Sequence, residues 1–270
     1  NLIFKETVSH FKFNSMKNKE KLHNSDKEHI IYGINGCRAL LVSKRWKINR
    51  IYLGHDSQAV KNQSFLNILE NYRNNIQRLN KETYLRKFKD QRTQGVVISF
   101  SGALVHPLTV FDNSSKNMCL LALDNINDPQ NLGQIIRTSE CAGINGIILP
   151  RHDSCGMTAS VLQVSQGAFT SVPIYEVNNL HTGLNNLKQN DFWIIGLENS
   201  INSKNWHEID LKGRNVIVIG SEGKGIRSLV LKTCDFLATI PMQGKISSLN
   251  VSAAVSVILF ERLRQLKSEK

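Results

Sequence analysis

No stretch of about eighteen apolar residues occurs in this 270-residue chain, which excludes a membrane-spanning helix. Residues 1–30 are polar and lysine-rich and have no apolar core, so a secretory signal peptide is not expected. They also lack arginine and contain several acids, which speaks against a transit peptide. The chain opens on Asn1, and Met16 is a candidate natural start. Paired cysteines are missing too. Cys37, Cys119, Cys141, Cys155 and Cys234 are scattered and odd in number, with no C-x-x-C. That pattern predicts reduced thiols in a cytoplasmic compartment and no metal site.

Acidic residues are scarce in one part of the chain only. Residues 1–118 carry 20 Lys+Arg against 9 Asp+Glu, and residues 119–270 carry 14 against 13. The excess of +12 therefore sits almost wholly in the first part, as expected of a region that meets a polyanion. For residues 1–29 a solvated, lysine-rich tail explains the charge equally well. Over residues 30–100 the charges are interleaved with apolar positions, which favours contact with a polyanion.

Residues 1–29 read as a weakly ordered polar tail, with order beginning near His29–Tyr32. Apolar spacing predicts helices over 33–44 and 65–79 and strands over 50–53 and 95–100. Residues 30–105 thus form a small α/β unit. Gly102, Pro107 and the polar run 112–117 mark 106–117 as a linker. Beyond it, strands are predicted at 119–123, 146–149, 171–177, 192–195, 215–219 and 236–240. Helices are predicted at 132–142, 159–166, 180–188, 226–232 and 251–266. This alternation implies a mostly parallel sheet covered on both faces.

Three segments lie where strands end, the place at which open α/β sheets bind ligands. The first holds Asn131 and Arg137. Six residues are about 600° of helix, so the two share no face if both are helical. By itself the pair also reads as a capping Asn and a solvated Arg. The second is the glycine loop Gly220–Gly225, which contains Glu222. Its order, G-x-x-G-x-G, is not the dinucleotide fingerprint, and its glutamate is unwelcome beside a pyrophosphate. A zwitterionic nucleoside without phosphate fits better than NAD or ATP. The third runs from Ile240 and Met242 to Ser248, Leu249 and Asn250, with Ser247, Ser248 or Asn250 able to cap the last helix.

In this order, Asn131-Leu132-Gly133 with Arg137, then Gly220-Ser221-Glu222-Gly223-Lys224-Gly225, then Ile240-Pro241-Met242 with Ser248-Leu249-Asn250-Val251-Ser252, the segments resemble the SpoU (TrmH) family of SPOUT methyltransferases. The resemblance spans residues 118–270. Residues 31–40 and 94–97 resemble, more weakly, the substrate-binding domain of the branch that methylates a guanosine ribose in large-subunit ribosomal RNA. It implies an α/β catalytic domain with a deep trefoil knot, a homodimer, and S-adenosylmethionine as cofactor. Gly220, Gly225, Ile240, Met242 and Leu249 are then expected at the cofactor. Asn131, Arg137, Glu222, Ser248 and Asn250 are expected at the reaction centre, with ribosomal RNA as partner. Arg137 is better suited to stabilising alkoxide charge than to acting as a base, because a guanidinium stays protonated. The rival readings are the same chemistry on tRNA and a non-catalytic RNA-binding module.

Overall fold

The structure is a computed structural model and describes residues 27–89, 91–112, 114–200, 203–245 and 248–268. The expected polar tail lies outside the described residues up to residue 26. No helix of the described residues is long and apolar enough to cross a membrane.

The first unit is a four-stranded sheet. Strand β1 (Glu28–Tyr32) is followed by helix α1 (Ile34–Ser43) and strand β2 (Lys47–Gly54). Short helices α2 (Gln58–Lys61) and α3 (Gln63–Leu69) lead to β3 (Ile76–Leu79), then α4 (Lys81–Lys87) and β4 (Val96–Ser101). The order is β1-β4-β2-β3, with β3 parallel to β2 and the other pairs antiparallel. The expected single helix over 65–79 is corrected here. It ends at Leu69, passes through a 3-10 turn over Glu70–Asn75 and becomes β3. Asn75 Nδ2 donates to the Ile48 carbonyl of β2 at 2.8 Å and the Tyr72 hydroxyl to the Leu41 carbonyl of α1 at 2.8 Å, drawing the chain onto β2 and α1. Tyr72, Ile76 and Leu79 have helical spacing, but tertiary pairing overrides it.

The second unit contains an eight-stranded parallel sheet. Its strands are β5 (His106–Pro107), β6 (Met118–Asp124), β7 (Gly146–Pro150), β8 (Ile174–Val177), β9 (Trp193–Leu197), β10 (Lys204–Asn205), β11 (Arg214–Gly220) and β12 (Phe236–Thr239). Their order is β10-β12-β9-β11-β6-β7-β8-β5. Every residue of β6 is buried, as the unbroken apolar run of a central parallel strand requires. Alternate residues serve opposite faces. Cys119, Leu121 and Leu123 meet α5 (Pro129–Ala142), α6 (Ala159–Val164) and α9 (Val251–Lys267). Leu120 and Ala122 meet the layer of α7 (Leu180–Lys188) and α8 (Ser228–Leu231).

Residues 106–117, expected as a linker, are docked on this sheet. β5 pairs with β8, Phe111 is buried, and Arg214 donates to the carbonyls of Asp112 and Ser115 at 2.9 and 3.3 Å. The two units share one apolar core. Phe169 packs against both Trp46 and Phe100, with ring centroids 5.6 and 6.2 Å away, and Arg45 donates to the Thr170 carbonyl at 3.0 Å.

Candidate active site

β6 and β11 are neighbours, and their carboxyl ends carry the first two of the three segments. α5 begins one strand-end loop after β6. Its cap is Asp128, whose side chain accepts from the Gln130 N–H at 2.9 Å, with Pro129 opening the first turn. The capping role considered for Asn131 therefore falls to Asp128. Asn131 and Arg137 are both helical, and the 600° between them separates their side chains.

The glycine loop folds back on itself. The Gly225 N–H donates to the Ser221 carbonyl at 2.9 Å, which brings Gly225 over Gly220. A Cβ on Gly220 would stand 2.0 Å from the Gly225 carbonyl carbon, so glycine is required there. Gly225 itself has φ of 65°, in the left-handed region. Glu198, at the end of β9, accepts from the Ile226 N–H at 3.1 Å and fixes the loop's exit. The next residue, Arg227, is tied to Asp124 at the end of β6. Its Nε and N–H each donate to that fully buried carboxylate at 2.8 Å, and its Nη2 stands 2.6 Å away.

From β12 the third segment returns to the first. Asn250 caps α9 by accepting from the Ser252 N–H at 2.9 Å, and its Nδ2 donates to Asn131 Oδ1 at 3.0 Å. Residues 246 and 247 lie outside the described residues, so the cap considered at Ser247 is not described.

Two cavities meet at this junction. One, of about 290 Å³, is lined by all five expected cofactor residues, Gly220, Gly225, Ile240, Met242 and Leu249, together with Glu222 and Ser248. The other, of about 270 Å³, is lined by Asn125, Asp128, Asn131, Glu222 and Lys224 among others. Ser221, Glu222 and Val251 border both. Among the described residues the first cavity is lined by two carboxylates, Glu198 and Glu222, by no lysine or arginine, and by a wall of bare backbone at Gly220. This lining fits S-adenosylmethionine, a cationic nucleoside without phosphate, and disfavours a pyrophosphate. Arg137 is exposed, lines neither cavity and has no hydrogen-bond or ion-pair partner among the described residues.

Sequence reasoning missed Asp124, Glu198 and Arg227. An acid closing the apolar strand β6 was a legible signal, because a buried charge needs a partner. Its partner was not legible, since 103 residues separate it from Arg227.

The fold and this paired cavity define an RNA methyltransferase. AviRb from Streptomyces viridochromogenes, a SpoU methyltransferase solved in complex with the cofactor AdoMet, has the same fold. It superposes with a TM-score of 0.76 at 19% identity, over 89% of this chain and 91% of that one. Residues 118–260 match the model of the SpoU rRNA Methylase family, and residues 30–103 match that of the RNA 2'-O ribose methyltransferase substrate binding domain. The chain belongs to the SpoU family. The 23S rRNA (guanosine-2'-O-)-methyltransferase RlmB of Shewanella oneidensis is 34% identical over 245 residues, covering 90% of this chain and 99% of that protein. Its Pseudomonas aeruginosa counterpart is 36% identical over 240 residues, covering 87% and 96%.

Proposed function

We propose that this protein methylates the ribose 2'-hydroxyl of a guanosine in 23S-type ribosomal RNA, with S-adenosylmethionine as the methyl donor. The observation that carries the reading is the pair of cavities meeting at Glu222, one suited to a nucleoside cofactor and the other open for a nucleotide. Relatives named for 23S rRNA match nearly their whole length, the substrate-binding unit included, which favours ribosomal RNA over tRNA.

The cofactor supplies a methyl group already activated by its positive sulfur. Gly220, Gly225, Ile240, Met242 and Leu249 hold it, and Ser248 and Glu222 edge the same space. Asn131 and Asn250, bonded to each other, orient the ribose so that positioning supplies much of the barrier reduction. Arg137 stabilises the negative charge that develops on the hydroxyl oxygen as its proton leaves and holds a neighbouring phosphate. Because Arg137 faces away from the cavities of its own chain, a second copy completes the site. A homodimer built on the α5 and α9 pair suits this reading, since Phe260 of α9 is 47% exposed. A trefoil knot is supported by the path of the last segment. It leads into α9, where Gln265 bonds the Ile209 carbonyl and the Leu211 N–H. We assign the protein to the cytoplasm, with its five cysteines unpaired.

The test has two parts. Calorimetry should detect S-adenosylmethionine binding without added metal. Mapping of 2'-O-methyl groups after incubation with total unmethylated RNA should then place the product in large-subunit RNA. Absence of cofactor binding removes the enzyme reading, and a product in tRNA removes the ribosomal one.

A further inference from the structure

The four-stranded sheet has two unlike faces. Ile31, Ile51, Ile98 and Phe100 belong to the apolar core shared with α1 and α3. The opposite face is built in cross-strand rows. Tyr32 and Tyr52 flank Val97, while Ile30 and Arg50 flank Ser99. Lys47 stands in the next row beside Ser101, with Glu28 across from it. Because β4 contributes only small residues here, Val97 and Ser99 are buried between the rows and the flanking side chains form the surface. Ile30 is 47% exposed, and Lys47 and Arg50 are exposed. At one corner α4 packs on this face, with the Lys87 ammonium 4.0 Å over the Tyr52 ring and the Phe88 ring centroid 5.3 Å from it, while the Tyr32 and Ile30 side is free of α4.

Along its edge strand β1 this sheet meets the second unit. The Tyr32 N–H donates to Gln163 Oε1 on α6 at 3.3 Å. α6 begins just beyond a loop in which the Cys155 N–H donates to the carbonyl of Ile126, a residue that lines the second cavity. α6 and the loop before it therefore link the edge strand β1 to the wall of the second cavity.

We propose that this face holds a single-stranded stretch of the substrate RNA. A base stacks on Tyr32, a second takes the place of Lys87 on Tyr52, and Lys47, Arg50 and the released Lys87 bind phosphates. The two tyrosines lie roughly 10 Å apart across two strand spacings, far enough for separate bases. Rings set among cations suit unpaired bases, whereas a duplex hides its base faces within its own stack. The proposal rests on the reading of the chain as an RNA methyltransferase and adds where the substrate lies.

The test is fluorescence anisotropy of the full chain with a short labelled single-stranded RNA of mixed sequence, and with its duplex. Tyr32→Ala and Arg50→Ala should each weaken single-strand binding by about tenfold. Tyr32→Phe should stay within about twofold of the parent because it keeps the ring. Arg50→Ala should also lower the slope of log affinity against log salt by about one. Calorimetric affinity for S-adenosylmethionine should be unchanged in all three. Unchanged RNA affinity in both alanine variants overturns the platform, as does duplex binding as tight as single-strand binding. If a chain lacking residues 1–26 loses the binding, the tail holds the RNA and the proposal fails. A parent protein that binds this RNA but not S-adenosylmethionine would instead overturn the methyltransferase reading.

Discussion

One carbon added at Gly220 would overlap the Gly225 backbone, so the loop must open to accept it. Gly220→Ala should therefore weaken S-adenosylmethionine binding at least about tenfold, or about 1.4 kcal/mol, by calorimetry. Circular dichroism should report an unchanged fold. Arg137 tests the other half of the site. Arg137→Ala should lower the methylation rate by roughly a hundredfold or more, the scale of a lost transition-state donor. Cofactor affinity should be kept, because Arg137 does not line the cofactor cavity. Near-normal turnover would remove it from the reaction. At this scale the motif positions were legible, but their grouping was only partly so. Asn131, Glu222, Ser248 and Asn250 converge on the two cavities, while Arg137 points elsewhere because helical periodicity turns it away.

Between elements, the Asp124 and Arg227 pair ties the end of β6 to the glycine loop's exit. Arg227→Ala would leave a fully buried carboxylate with the Arg227 N–H as its one remaining donor, at a cost of about 3 kcal/mol in urea unfolding. Asp124→Asn keeps the fold of the strand end and leaves a half-exposed arginine with solvent and Asp153, 3.5 Å away, so it should cost less. A larger loss for Asp124→Asn would contradict this account. On α9, the buried Glu261 accepts from Arg264 at 2.7 and 2.8 Å. These bonds first, and one from Gln265 next, hold its carboxyl below the ordinary glutamate value despite burial. A depressed acid contributes stability above its unfolded pKa of about 4.3 and loses it as pH falls through the lower folded value. Glu261→Gln should thus be less stable than the parent at neutral pH, and the gap should close on acidification below pH ~4. An equal gap at both ends would show that charge plays no part. The elements themselves were mostly legible, since buried β6 and amphipathic α5 and α7 follow their periods. The failure over residues 65–79 came where the side chains of Tyr72 and Asn75 bond a distant backbone.

Across the whole molecule, charge separates capture from chemistry. Residues 27–118 hold 15 Lys+Arg against 6 Asp+Glu, so most of the +11 of the first part lies within the described unit rather than in residues 1–26. RNA affinity should fall by about a thousandfold between roughly 50 and 200 mM salt if six or more phosphates are held. Removing residues 1–26 should leave most of that dependence, as read from binding isotherms across salt. Loss of the dependence would move the capture role to the tail. Removal of the whole basic part is not a neutral test. It would also strip Phe169 of Trp46 and Phe100 and open the shared core.

The sequence by itself determined the α/β class, the charge asymmetry, the positions of the three segments and the family they resemble. These are properties of local pattern: buried strands, helical spacing, glycine where backbone must approach, and lysine without matching acid. Tertiary structure alone decided that Glu198 grips the glycine loop, that Asp124 meets Arg227, and that residues 106–117 are bound to the sheet. It also decided that Tyr32 and Tyr52, from different strands, share one face of the basic unit's sheet. Each of these joins residues far apart in the chain, and no local period carries the distance between partners that meet only when strands are placed side by side.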